Sequence, residues 1–196
     1  MTEWLVPMAA MALVMSITPG PNNVLLTASG ATVGLVRTLP ALLGVLVGFL
    51  VLIVLCELGV GAVVSGFPQV HVVLMLVASA YMLWLAWALW RATVGHAETV
   101  TRSRLPWWRF TVLQFVNPKT WLATLALVSG YLQGRALDLA ETTAAVALFL
   151  AIVTMSMTVW TVFGASIRAR TGPEQWRVVN RSLAVLAACT VVTFWV

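Results

Sequence analysis

Residues 4–28 read WLVPMAAMALVMSITPGPNNVLLTA, a stretch without a single charged side chain. About 20 consecutive apolar residues suffice for a helix to cross a bilayer, so its length and character fit a membrane span. Its middle does not fit an ordinary one. At Thr18-Pro19-Gly20-Pro21-Asn22-Asn23 two prolines flank a glycine, and each proline removes a backbone donor and collides with the preceding turn. Lipid cannot satisfy the carbonyls and amides freed there, and two asparagines add further polar groups. The segment must therefore face protein or a wet cavity. A plain packing kink would need the prolines but not the asparagine pair.

The rest of the 196-residue chain has the same character. Apolar residues make up 61% and charged residues 9%, against roughly 45–50% and 25% in soluble domains. That excludes a normally solvated surface, and disorder or a coiled coil would each need abundant charge. Six apolar runs follow one another: Trp4–Ala28, Pro40–Val64, Val70–Trp90, Phe110–Leu132, Thr142–Phe163 and Val178–Val196. Transmembrane strands would alternate and be half as long, so the expected fold is an all-α integral membrane protein with six transmembrane helices. The sixth run is the shortest, near the lower limit for spanning. No basic region precedes the first run after Met1-Thr2-Glu3, so that run is expected to stay as a helix rather than be cleaved. The longest connector, Arg91 to Arg109, is too short and polar to fold alone. Residues 1–196 thus read as one transmembrane domain.

Positive charge sets the orientation. Nine basic residues fall in the first, third and fifth connectors: Arg37; Arg91, Arg102, Arg104 and Arg109; Arg168, Arg170, Arg177 and Arg181. The opposite face has only Arg135, and Lys119 lies inside a run. The bias places the odd connectors in the cytoplasm and both termini outside. Trp4 and Trp195 would then mark the outer interface, and Trp90, Trp107, Trp108 and Trp176 the inner one. The same distribution explains the net charge of +5 without a nucleic-acid partner. Cys56 and Cys189 sit in apolar runs with no metal or redox spacing and read as packing residues.

The fourth run repeats the anomaly of the first. Asn117-Pro118-Lys119 interrupts it, with Gln114 one turn earlier, and an isolated lysine in hydrocarbon costs several kcal/mol. Snorkelling is the plainer reading, but Lys119 is about ten residues from either end of its run. Pro118 lies 99 residues after Pro19 and 97 after Pro21, while half the chain is 98. The breaks therefore hold matching places in halves of three helices, about 1–98 and 99–196. An odd number of helices inverts the second half relative to the first. Paired broken helices that meet near the midplane and present helix N-termini to an anionic group characterise inverted-repeat transporters. Beyond the breaks the halves share little identity.

Glu57 is the one acidic residue within a run. It reads either as interfacial or as a proton-titrating group or ion-pair partner for Lys119. Gly44 and Gly48 form a Gly-x-x-x-Gly face, a close packing surface that would permit a homodimer. Thr154, Ser156, Thr158 and Thr161 could line a path, although such hydroxyls more often bond their own helix.

At these residues the sequence resembles the lysine exporter (LysE/RhtB) family. The resemblance rests on Thr18-Pro19-Gly20-Pro21-Asn22-Asn23, on Gly34, Gly44 and Gly48, on Ala80-Tyr81-Met82-Leu83-Trp84-Leu85-Ala86, and on Gln114-Phe115-Val116-Asn117-Pro118-Lys119. It implies a bacterial inner-membrane exporter of amino acids or their derivatives, driven by the proton-motive force and without a cofactor, so that the outer side on which both termini are expected is the periplasm. The Pro-Gly-Pro-Asn-Asn form is similar to the branch associated with cysteine and O-acetylserine export. Nothing of the family's function transfers to Glu57. The resulting expectation is a substrate site of Pro19, Gly20, Pro21, Asn22, Asn23, Gln114, Asn117, Pro118 and Lys119. An exporter of another small solute or a metal ion is the alternative, though carboxylates, histidines and thiols are scarce in the spans. An intramembrane enzyme would need a Ser/His pair, paired aspartates or a His-Glu-x-x-His motif, and His71 and His96 form none.

Overall fold

The computed structural model describes residues 3–61, 66–91, 106–133, 135–170 and 173–195. Among these residues every regular element is helical. In chain order they are α1 (Leu5–Ile17), α2 (Pro21–Val33), α3 (Leu35–Glu57), α4 (Pro68–Arg91), α5 (Trp107–Phe115), α6 (Pro118–Leu127), a π-helical turn (Val128–Leu132), α7 (Leu139–Arg170) and α8 (Pro173–Trp195). By length and composition, α3 and residues Leu139–Ile167 of α7 are, among the described residues, the two helices long and apolar enough to cross a membrane as single helices.

The first and fourth apolar runs are each two helices. Thr18 is extended, as a residue before proline should be (φ −63°, ψ 139°), and ends α1. Gly20 then serves as N-cap and Pro21 starts α2 at its first position. The second break is built alike: Asn117 is the N-cap, its side chain accepts from Lys119 N, and Pro118 starts α6. Proline is favoured at that position because its missing N–H has no helical partner anyway.

Several helices outrun their apolar cores. α3 begins at Leu35 rather than Pro40, α5 at Trp107 rather than Phe110, and α8 at Pro173 rather than Val178. α7 extends past Thr142–Phe163 at both ends. Hydropathy marks where lipid contact ends, whereas Arg, Gln and Glu are good helix formers and carry the helix into the interface. The first connector shrinks to Gly34, whose φ of +86° lets α2 and α3 abut, so Arg37 rides on the first turn of α3.

Close crossings order the bundle. An added Cβ at Gly30 would strike Thr161 O, and one at Gly164 would strike Thr27 O, so α2 and α7 touch backbone to backbone. Gly44 likewise backs onto Trp107 O and Gly48 onto Gln114, with Thr111 Oγ1 donating to Gly44 O at 2.8 Å. The Gly-x-x-x-Gly face is thus filled by α5 within the chain, and the homodimer expectation loses the surface that motivated it. Contacts climb together from Gly44–Trp107 to Gly61–Leu125, so α3 runs parallel to α5 and α6.

Two apolar cores result. Met8, Leu26, Leu52, Trp121, Leu127 and Phe149 belong to the larger one, among α1, α2, α3, α6 and α7. Val24 of α2 joins the smaller one, where Ala78, Met82 and Leu85 of α4 meet Leu183, Ala184 and Ala187 of α8. Outward, large apolar side chains such as Val36, Leu43, Val73, Leu83, Val159 and Val178 lie exposed, a surface suited to lipid.

Arginine–tryptophan stacks tie ends together. Arg135 lies 5.3 Å from the Trp4 ring centroid, and Arg181 lies 5.1 Å from that of Trp90. Arg91 stacks on Trp87 and Arg109 on Trp108. Arg102, Arg104, His96 and Glu98 lie outside the described residues, as do the side chains of His71, Arg168, Arg170, Glu174, Trp176 and Trp195.

Candidate functional site

The two breaks meet. Asn22 and Gln114 exchange amide hydrogen bonds across 92 residues of sequence, with Asn22 Nδ2 donating to Gln114 Oε1 at 2.8 Å and Gln114 Nε2 to Asn22 Oδ1 at 3.0 Å. Gln114 also donates to Phe110 O and accepts from Thr120 Oγ1, both at 2.8 Å. Its amide is fully enclosed by these partners. Asn23 Nδ2 donates to Ser16 O (2.9 Å) and Thr18 O (2.8 Å), capping carbonyls left open where α1 ends.

Lys119 completes the junction from the other half. Its ammonium donates to Thr18 O, to Thr18 Oγ1 at 2.7 Å and to Pro19 O at 3.1 Å. Instead of following its own helix toward an interface, it reaches the break in the first. Gly20 leaves room for the stem: a Cβ there would lie 2.8 Å from Lys119 Cδ and 3.1 Å from Nζ.

Beside this junction lies a cavity. Its polar wall is Ser16, Gly20, Pro21, Asn22, Asn23, Asn117, Lys119 and Thr120, and its apolar wall is Ala12, Met15, Phe49, Ala123, Phe149, Val153 and Met157. About 30 Å³ is open to the centre of a water molecule, room for about two waters. The N-termini of α2 and α6 both border it, so two positive helix ends and one ammonium share a small, largely apolar chamber. A second, smaller cavity lies behind Asn22 and Asn117, lined also by Leu25, Ala78, Tyr81, Leu113 and Val116.

Of the nine sequence-derived site residues, Gly20, Pro21, Asn22, Asn23, Asn117 and Lys119 therefore line one cavity. Pro19 lies outside that lining and contributes an exposed carbonyl to the Lys119 ammonium. Gln114 stands behind, holding Asn22, and Pro118 starts the helix that carries Lys119. Glu57 is elsewhere, exposed at the last residue of α3 and outside the cavity lining. Thr154 and Thr161 bond their own helix at Leu150 O (2.6 Å) and Met157 O (2.8 Å), while Ser156 Oγ is buried without a partner.

Sequence reading missed the apolar wall. Phe49 and Phe149 meet edge to face at 5.9 Å, and they lie 100 residues apart, close to the spacing of the breaks. That offset was the available signal, but phenylalanine in an apolar run attracts no notice. Thr120 was missed for the same reason, as one hydroxyl in a span.

An all-helical bundle with an apolar exterior, and a small chamber where two interrupted helices join, is an architecture suited to a membrane transporter. The chain belongs to the LysE type translocator family, whose model matches residues 13–195. Among similar proteins, the cysteine/O-acetylserine efflux protein of Escherichia coli O157:H7 is 30% identical over 186 residues, 93% of each chain. Proteins of the same name from Klebsiella pneumoniae subsp. pneumoniae and Salmonella paratyphi A are 33% and 35% identical over 119 and 123 residues. In those two pairings the match spans 60% of the relative's length and 61% of this chain. No solved structure matches the chain significantly.

Proposed function

We propose that this chain is a bacterial inner-membrane exporter of amino acids or amino-acid derivatives, driven by the proton-motive force. Its six spans form two inverted three-helix halves, with spans one and four broken and both termini in the periplasm. The observation that carries the reading is the convergence of two proline-started helix N-termini and Lys119 on one cavity. A zwitterion brings a carboxylate into a chamber of low dielectric, where a cation and aligned amides are worth far more than in water.

Supporting observations come from the whole fold. Trp4 pairs with Arg135 beyond the fourth span, and Trp90 with Arg181 at the start of the sixth. In a six-span chain these residues share faces, N-terminus with fourth connector and third connector with fifth. The relatives' names point to cysteine and O-acetylserine, both α-amino acids. The cavity wall offers no carboxylate, imidazole or thiol, which speaks against a metal cargo.

Everted vesicles, which turn export into uptake, test the proposal when a panel of labelled amino acids, including cysteine and O-acetylserine, is supplied outside them. Saturable transport that vanishes when the pH gradient is collapsed is expected. Flux no greater than that of vesicles lacking the protein, across the panel, would overturn it.

A further inference from the structure

The oxygens that hold Lys119 belong to the end of a different helix, and that gives them a second use. α1 stops at Ile17 and α2 starts at Pro21, so the carbonyls of Thr18 and Pro19, which lie between the two helices, accept no helical hydrogen bond. They stand at the negative end of the α1 dipole. Asn23 covers the rear, taking Ser16 O and one side of Thr18 O. The front, where Thr18 and Pro19 are exposed, is left to two carbonyls and the Thr18 hydroxyl, and a primary ammonium sits there now. Among the described residues, no carboxylate lines the cavity or bonds the ammonium. The cradle therefore holds its cation by neutral oxygens alone, which suits exchange better than permanent pairing.

We infer that Thr18 O, Thr18 Oγ1 and Pro19 O form the binding site for the substrate's α-ammonium group, and that Lys119 is its tethered stand-in while the site is empty. The inference rests on the reading that the transported zwitterion brings its carboxylate to Lys119. When the carboxylate arrives, Lys119 turns to it and leaves the cradle. The α-ammonium, one carbon away from that carboxylate, takes the vacated place. One ammonium replaces another, so the oxygens never lose their partner. An amine without a carboxylate cannot draw Lys119 away, and an N-acylated acid draws it away but leaves the cradle unfilled. Recognition then demands both charges of a free α-amino acid, whatever its side chain. Gly20 is part of the device, because the stem of Lys119 swings through the space a side chain would occupy.

The full chain, purified in detergent, can be titrated with ethylammonium chloride while its thermal midpoint is followed against matched sodium chloride. The parent should respond equally to both salts. Lys119→Ala should gain a saturable stabilisation by ethylammonium, with affinity at least about tenfold above the parent's, since a hydrogen bond to a charged group is worth about 1.5–3 kcal/mol. Adding Thr18→Val should cut that gain severalfold. A Lys119→Ala protein that responds to ethylammonium no more than to sodium would overturn the inference. Should Lys119→Ala fail to fold, binding to the parent decides: an amino acid that binds must be favoured about tenfold or more over its N-acetyl form, and Thr18→Val must narrow that gap. Equal binding of the two forms would also overturn it. A gain of ethylammonium binding without amino-acid transport in vesicles would leave the cradle standing and remove the transport reading; transport without the gain would do the reverse.

Discussion

Gly20 owes its place to space, not to backbone freedom. Its φ of −169° is extended and open to any residue, yet a methyl group there would press on the Lys119 stem. That stem is flexible, so Gly20→Ala should insert and fold normally but displace the ammonium from Thr18 and Pro19. We expect transport to fall about tenfold or more, the loss of roughly one charge-assisted hydrogen bond, with the thermal midpoint little changed. Unaltered flux would show that the position of Lys119 is immaterial. Asn22 and Gln114 make a different case, because each satisfies the other inside the protein. Asn22→Ala and Gln114→Ala should each cost about 1–3 kcal/mol, while the double variant should cost less than the sum by about 0.5–3 kcal/mol. Costs that simply add in thermal unfolding would dissolve the pair. The sequence showed that polar residues gather at the breaks, since proline and asparagine in hydrocarbon demand partners. It could not show the division of labour among them. Asn23 caps and Asn22 pairs, although they are chemically identical neighbours, because helix rotation turns one toward α1 and the other toward α5.

Helix ends were the part of the fold that hydropathy blurred. The breaks were legible because proline acts locally through a missing donor. The crossings were half legible: Gly44 and Gly48 announced a close contact, but a small-residue face does not name its partner. The partner proved to be α5, which the chain supplies itself. The collapse of the first connector to one residue was hidden, since positive φ at Gly34 is a property of the fold around it. These two kinds of glycine should fail differently. At Gly34 nothing lies within 4 Å of an added Cβ, so Gly34→Ala is resisted by backbone conformation alone and should cost about 1–3 kcal/mol. At Gly44 the backbone is helical and the obstacle is Trp107 O, so Gly44→Ala must part α3 from α5, an overpacking cost of about 1–3 kcal/mol. Helical Gly44 could otherwise gain from alanine, and a thermal midpoint that rises in Gly44→Ala would contradict the crossing.

The two ends of the molecule differ in how tightly they close. Gly30 and Gly164 press α2 on α7, and Gly44 and Gly48 press α3 on α5. In the six-span arrangement proposed above, α2 and α5 are the cytoplasmic halves of the broken spans. The cavity instead reaches along α1 and α6, their periplasmic halves, where Ala12, Met15, Ser16 and Ala123 line it. Inverted repeats carry two such arrangements of one architecture, because exchanging the conformations of the halves closes one side and opens the other. We propose that the conformation described here is the one that faces outward, with the cytoplasmic crossings as its gate. Thiol accessibility checks both the gate and the orientation. In a background of Cys56→Ala and Cys189→Ala, which removes the two native thiols, Ser16→Cys should react with a small membrane-impermeant thiol reagent added to intact cells. Ala31→Cys, buried where α2 meets Gly164, should not react from that side. Collapsing the proton gradient should change the rate at position 16 while leaving position 31 protected from outside. Labelling of Ala31→Cys but not Ser16→Cys in intact cells would place the termini in the cytoplasm and reverse the direction in which the cavity opens.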